Sequence, residues 1–160
     1  REFYVSLKQP GAIRYQRSDI PVEEGVFSSV ELGKAQVIKE GKDFCIIAIG
    51  SMVSPSYEAI EILKKEGLSG SLINARFIKP LDINLFKEIA KKTRFIFTAE
   101  EGILEGGFGS AVVEILEVPV VRIGLPDEFI PHGKRDLLLD KYGLTAKGIA
   151  DTVKSKVWGR

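Results

Sequence analysis

RFIFTAEEGILEGGFGSAVVEIL, residues 94–116, is the stretch around which the rest of the chain arranges itself. Residues 95–99 form an apolar run, the mark of a strand buried on both faces, and residues 110–117 are rich enough in aliphatic side chains for a core helix. Between them lie the adjacent carboxylates Glu100 and Glu101, and four glycines. Gly106, Gly107 and Gly109 allow the backbone to turn through positive φ and let another group come close to the start of the helix. A strand, loop and helix of this kind is where open α/β sheets place ligands or partners.

Outward from this unit the same alternation repeats. Upstream, 34–39 alternates as a strand does and 44–49 is fully apolar, so the two are expected to pair antiparallel across a turn at 40–43. Tyr57, Ile60 and Leu63 make one apolar helical face that stops at Gly67. Residues 71–77 form a strand. Asp82 is a suitable N-cap for a helix with the face Leu85, Phe86, Ile89 and Ala90, with Leu81 stapled against Phe86. Downstream come a strand at 118–123, turns and short helix over 126–143, and a last helix capped by Thr145 with the stripe Ala146, Ile149, Ala150, Val153 and Val157. Strand and helix alternating in this way require right-handed crossovers, hence an α/β fold with a mainly parallel sheet covered on both faces.

A chain of 160 residues with 44% hydrophobic content buries one sizeable core, so one domain plus attachments is expected. A domain boundary falls near 21–27, where Pro21, Glu23, Glu24 and Gly25 have linker character. Charges nearly cancel at a formal +1 and are interspersed, which speaks against a nucleic-acid surface or an acidic partner. The single cysteine, Cys45, lies within FCIIAI and fits a reduced core residue of a cytoplasmic protein. The apolar runs are far below the roughly 18 residues that a spanning helix needs. The opening at Arg1, on what resembles a helix already under way, suggests a piece of a longer polypeptide.

Candidates for chemistry are few. One histidine and one cysteine, far apart, make a zinc site improbable, and Gly106-Gly107-Phe108-Gly109 lacks the spacing of a dinucleotide or phosphate loop. Glu100 and Glu101 are either an acid–base pair or, as favoured by their opposite directions on a strand, salt-bridged or interface residues. The glycine loop either cradles an anion at a helix N-terminus or packs closely on the sheet or a second subunit, close packing being favoured. His132 is either a titrating group or an idle loop residue. Arg14 and Arg17, in AIRYQR, suit forked phosphate contacts or are solvated charges.

Six segments in order, PGAIRYQRSDIP, ELGKAQVIKEGKD, INARFIKPLD, TAEEGILEGGFGSAVVEIL, VPVVRIGLPDEFIPHGK and YGLTAKGIA, resemble the C-terminal part of the 1-deoxy-D-xylulose-5-phosphate synthase family. These are thiamine-diphosphate-dependent relatives of transketolase. AEEG with GGFGS is common to transketolase-like proteins, whereas ARFIKPLD with GLPDEFIPHG is particular to the synthases. The resemblance implies a three-layer α/β sandwich around a mostly parallel five-stranded sheet. It implies that 1–20 are the last helix and strand of a preceding domain, 21–30 a linker and 31–160 the transketolase-like C-terminal domain. The implied parent is a cytoplasmic homodimer that condenses pyruvate with glyceraldehyde 3-phosphate, using thiamine diphosphate and Mg, in the supply of isoprenoid, thiamine and pyridoxal precursors. Catalytic, cofactor-binding and metal residues are expected in the remainder of the polypeptide, and no activity in this chain alone. The resemblance carries one site residue onto this segment. Arg17, at the arginine of a Tyr-Pro-Arg-Gly motif that here is Tyr15-Gln16-Arg17-Ser18, is implied to contact the aldehyde's phosphate. Apolar surface near the glycine loop or on residues 2–15 is expected to serve self-association. A C-terminal assembly or docking domain of a transketolase, or of a 2-oxo acid dehydrogenase beta subunit, is the alternative, with a stand-alone interaction domain behind it.

Overall fold

The structure is a computed structural model that describes residues 8, 10–15 and 30–159. The segments at 2–7 and 21–27, and Arg17 itself, lie outside the described residues. Five strands form one sheet: β1 (Gln36–Lys39), β2 (Phe44–Ala48), β3 (Gly70–Asn74), β4 (Ile96–Ile103) and β5 (Val120–Leu125). Their order is β1-β3-β2-β4-β5, with β1 antiparallel to β3 and the remaining pairs parallel. The helices are α1 (Val53–Lys65), α2 (Ile83–Lys92), α3 (Phe108–Ile115), α4 (Arg135–Lys141) and α5 (Ala146–Val157).

Strand β2 shows why the molecule has three layers. All five residues of FCIIA are buried, and alternate side chains point to opposite faces of the sheet. Phe44, Ile46 and Ala48 pack into a core with Ala59, Ile60 and Leu63 of α1 and Ile149, Ala150 and Val153 of α5. Cys45 and Ile47 join a second core with Phe86 of α2 and Phe108 and Val112 of α3. The sheet is therefore the filling between two helical layers, as the alternation of elements demands. Burial pushes the Cys45 thiol up to about 12, so it stays protonated as a small apolar core group.

The expected antiparallel pair of 34–39 with 44–49 does not form. β2 is buried on both faces and has both edges hydrogen-bonded, to β3 and to β4, so β1 is excluded from its side. β1, with two exposed residues of its four, takes the outer edge beside β3 instead. The 40–43 turn folds around the start of β3: the Lys42 and Asp43 amides both donate to the Ser69 carbonyl, and Gly41 exchanges hydrogen bonds with the Ser71 hydroxyl.

The caps agree with the sequence. Asp82 Oδ1 accepts from the Leu85 amide at 3.2 Å, and its Oδ2 accepts from Ala35, tying the start of α2 to the approach to β1. Thr145 Oγ1 accepts from the Gly148 amide at the start of α5. Gly67, at φ +90°, ends the first helix in the left-handed conformation that glycine adopts without a steric penalty. Tyr57 departs from expectation. The buried face of α1 is Ser56, Ala59, Ile60 and Leu63, and Tyr57 lies one step round the helix, 44% exposed, with Lys39 Nζ 5.3 Å from its ring centre. β3 ends at Asn74 rather than at 77 because the chain turns sharply there: Arg76 is at φ +57°, and its amide donates to Asn74 Oδ1.

Candidate functional site

β4 extends past the predicted 95–99 and carries both glutamates on the strand, facing opposite ways. Glu100 points inward. Its Oε2 accepts from the Phe108 amide at 2.8 Å and its Oε1 from the Gly109 amide at 2.7 Å, so one carboxylate satisfies two orphan donors at the start of α3. The two sequence readings of the loop thus merge, because the anion at the helix N-terminus is the chain's own Glu100. Glycine is needed here for space. A Cβ on Gly107 would lie 2.5 Å from Glu100 Oε2, and one on Gly109 would lie 2.5 Å from Thr98 Oγ1. The loop is further tied by Arg122 Nη1, which donates to the Leu104 carbonyl and to Ser110 Oγ.

Glu101 points the other way, toward a cleft of about 720 Å³ at the carboxyl ends of the parallel strands. Its Oε2 accepts from Ser51 Oγ at 2.6 Å and from Arg135 Nη2 at 2.5 Å, while Oε1 accepts from Arg135 Nε at 2.9 Å. Its backbone carbonyl accepts from Arg14 Nη2 at 3.2 Å. Partial burial pushes the Glu101 carboxyl up. The hydrogen bonds from Arg135 and Ser51, together with the charges of Arg135 and Arg14, outweigh that and hold it below the usual carboxylate range. The salt-bridged role favoured for the pair holds for Glu101, whereas Glu100 is a helix cap.

The position of this cleft follows from topology. The chain steps from β2 to β3 on one side and then crosses to β4 on the other, so the ends of β2 and β4 diverge at a switch point. Gly50 and Ser51 line it from β2, Glu100 and Glu101 from β4, and residues 10–15 form an opposing wall. Arg76 and Lys79 add positive charge on the β3 side. His132 lies in the exposed turn before α4. Among the described residues, no three of His, Cys, Asp and Glu are grouped as metal ligands. Nor is any described helix long and apolar enough to cross a membrane. Sequence inspection missed Ser51 and Arg135, which meet Glu101 from 50 and 34 positions away and share no motif with it.

Comparison with known proteins gives this geometry a family. The profile described as "Transketolase, C-terminal domain" matches residues 33–149. The chain belongs to the transketolase C-terminal domain family. Along nearly its whole length it is similar to curated 1-deoxy-D-xylulose-5-phosphate synthases. That of Synechococcus sp. (strain JA-3-3Ab) is 43% identical over 158 residues, covering 94% of this chain and 24% of the relative. That of Gloeobacter violaceus is 43% identical over 158 residues, covering 94% and 25%. The chain thus spans about a quarter of the length of these relatives. Among solved structures, one titled "Split gene transketolase, inactive beta4 tetramer" superposes with a TM-score of 0.80 at 38% identity, covering 89% of this chain and 48% of that one. Transketolase from Campylobacter jejuni, at 20% identity and a TM-score of 0.62 over 84% of this chain and 20% of that one, shares the fold.

Proposed function

We propose that this chain is the C-terminal domain of a 1-deoxy-D-xylulose-5-phosphate synthase, with 1–20 belonging to the end of the preceding domain, 21–30 to a linker and 31–160 to the domain itself. The observation that carries this reading is the 43% identity to such synthases over 94% of the chain. The parent condenses pyruvate with glyceraldehyde 3-phosphate to 1-deoxy-D-xylulose 5-phosphate and carbon dioxide, as a cytoplasmic homodimer. Thiamine diphosphate with Mg supplies the decarboxylation and carbon–carbon bond chemistry when bound. The described residues do not fit that cofactor's site: no metal-ligand group forms among them, and the α3 N-terminus, a natural diphosphate seat, is filled by Glu100. The role of this segment in the parent is assembly and positioning. Arg17 holds the acceptor phosphate, using remote binding energy to orient the aldehyde. Ile103 and Val113, 45% and 42% exposed beside the glycine loop, belong to the apolar surface used in self-association.

The test is carbon dioxide release from pyruvate by the full-length parent, with and without glyceraldehyde 3-phosphate. Release that rises with the aldehyde and yields a five-carbon ketose phosphate is expected. Inert pyruvate with ketose phosphates as donors would replace the synthase by a transketolase, the second reading favoured by the 38% identity to the split-gene transketolase. Arg17→Ala is expected to cost about tenfold or more in kcat/KM for the phosphorylated aldehyde.

A further inference from the structure

We propose that the carboxyl end of the sheet, with Phe129 as its anchor, is the face on which the preceding domain of the same polypeptide docks. The inference rests on the reading just given in that residues 10–15 are taken as the end of that domain. Strands β2, β3, β4 and β5 run parallel, so the loops that follow them all open at one end of the sheet. Leu32 and Ile78 are exposed there, in the lining of the cleft. The loop after β5 comes to the same place: it starts at Leu125, paired with Ile103 of β4, and returns at Arg135, bonded to Glu101. Phe129, midway along that loop, is fully exposed. The loop is nevertheless held, because the Glu128 amide donates to the Pro126 carbonyl and the Glu128 carboxylate accepts from the Tyr142 hydroxyl. An aromatic ring displayed on a fixed turn, at the end of the sheet where other apolar side chains are also exposed, suits the anchor of an interface.

Residues 10–15 say what covers this face. They precede the matched family domain at 33–149, and they already lie on this end of the sheet. They form one wall of the cleft, and Arg14 Nη2 donates to the Glu101 carbonyl at 3.2 Å. Ile13 and Tyr15, on either side of Arg14, stay exposed, so this domain leaves both of them uncovered. A body that packs on Ile13 and Tyr15 must stand over the mouth of the cleft, because Arg14 between them is fixed there. The upstream polypeptide is also the best placed occupant. Only residues 16–29 separate residue 15 from Val30, and a short covalent tether gives an effective concentration of about millimolar, above that of a second copy free in solution. Faces between domains of one chain mix apolar with polar contacts. The cleft offers both, in Leu32, Ile78 and Pro80 and in Arg14, Ser51 and Lys79.

The experiment places the photo-cross-linking residue p-benzoylphenylalanine at position 129 of the full-length parent and identifies the peptide it attaches to. The expected result is a cross-link within one chain, to a peptide at or before residue 15, with the denatured protein still migrating as a single chain. A cross-link that doubles the denatured mass would assign the face to a second copy, and the absence of any protein cross-link would leave the face uncovered; either result overturns the proposal. Phe129→Asp gives an independent readout, because a fully exposed side chain can be replaced without disturbing the core. It is expected to speed proteolytic cleavage within 16–30 about fivefold, with the sedimentation coefficient unchanged. A fall in sedimentation coefficient at an unchanged cleavage rate would again point to a second copy and overturn the docking. These outcomes are separate from the reaction itself. Aldehyde-dependent carbon dioxide release with an uncovered Phe129 removes the docking alone, whereas ketose phosphate donors with an intrachain cross-link remove the synthase and leave the docking in place.

Discussion

Glu100 and Glu101 are neighbours on one strand and do opposite work. Glu100 is 5% exposed and spends both oxygens on backbone amides 8 and 9 residues away. Glu101 is partly open, and its partners are side chains 34, 50 and 87 positions away. The first carboxylate completes a local turn, so its loss damages a folding unit. The second joins segments that the topology alone brings together, so its loss loosens their arrangement while each segment stays folded.

The largest expected effect tests the local half of that contrast. Glu100→Ala leaves the buried Phe108 and Gly109 amides without their acceptor, and about 3 kcal/mol of stability should be lost. Glu100→Gln should lose less, since its amide oxygen still serves one donor while its amino group confronts the other. Urea unfolding gives both values, and a loss below about 0.5 kcal/mol for the alanine variant would end the cap's claim to importance.

Next comes Gly107→Ala, expected to cost about 2 kcal/mol. The backbone at Gly107 has φ −77°, which alanine adopts freely, so the cost is one of space against Glu100 and the Ile103 carbonyl. Part of that space opens when the carboxylate is removed. In a double-mutant cycle the Gly107→Ala penalty should therefore shrink in the Glu100→Ala background, whereas strict additivity would mean that the two residues do not share one site.

This contrast also explains how much could be read from the sequence. The caps at Asp82 and Thr145, the stop at Gly67 and the double-faced burial of β2 depend on residues close in sequence or on one strand's composition, and all were legible. The pairing of β1 was not, because the choice between adjacent β2 and distant β3 is made by which edges of β2 are already occupied. Tyr57 was placed on the wrong side of α1 because its face is set by α5, packed there from nearly a hundred residues downstream. The glutamates and glycines of residues 100–109 marked the site, but Ser51 and Arg135 are ordinary surface residue types until the crossovers bring them to Glu101.

Glu101→Gln should cost about 1 kcal/mol near neutral pH, since a partly exposed ion pair is worth little more. Its pH dependence is the sharper readout. The folded Glu101 carboxyl lies below its unfolded value, so the native state binds fewer protons there than the unfolded state does. The stabilisation is complete above the unfolded pKa and disappears as pH falls through the folded one. The gap between wild type and Glu101→Gln should therefore be widest at neutral pH and close in acid. A gap that persists unchanged in acid would mean that shape, and not charge, makes the carboxylate useful.

Ser51→Ala is the smallest change, and it separates the two donors of the network. Ser51 Oγ gives Glu101 a single hydrogen bond, while Arg135 gives it two plus a charge. Removing the hydroxyl should cost about 0.5–1 kcal/mol at neutral pH. It should also let the Glu101 carboxyl rise toward its ordinary value, because one of the hydrogen bonds opposing its desolvation is gone. The acid loss of stability due to Glu101 would then be smaller than in the wild type and complete at a higher pH, with the Arg135 bridge still in place. A Ser51→Ala protein whose acid limb superposes on that of the wild type would assign the depressed carboxyl to the arginines alone, and would remove the end of β2 from the network.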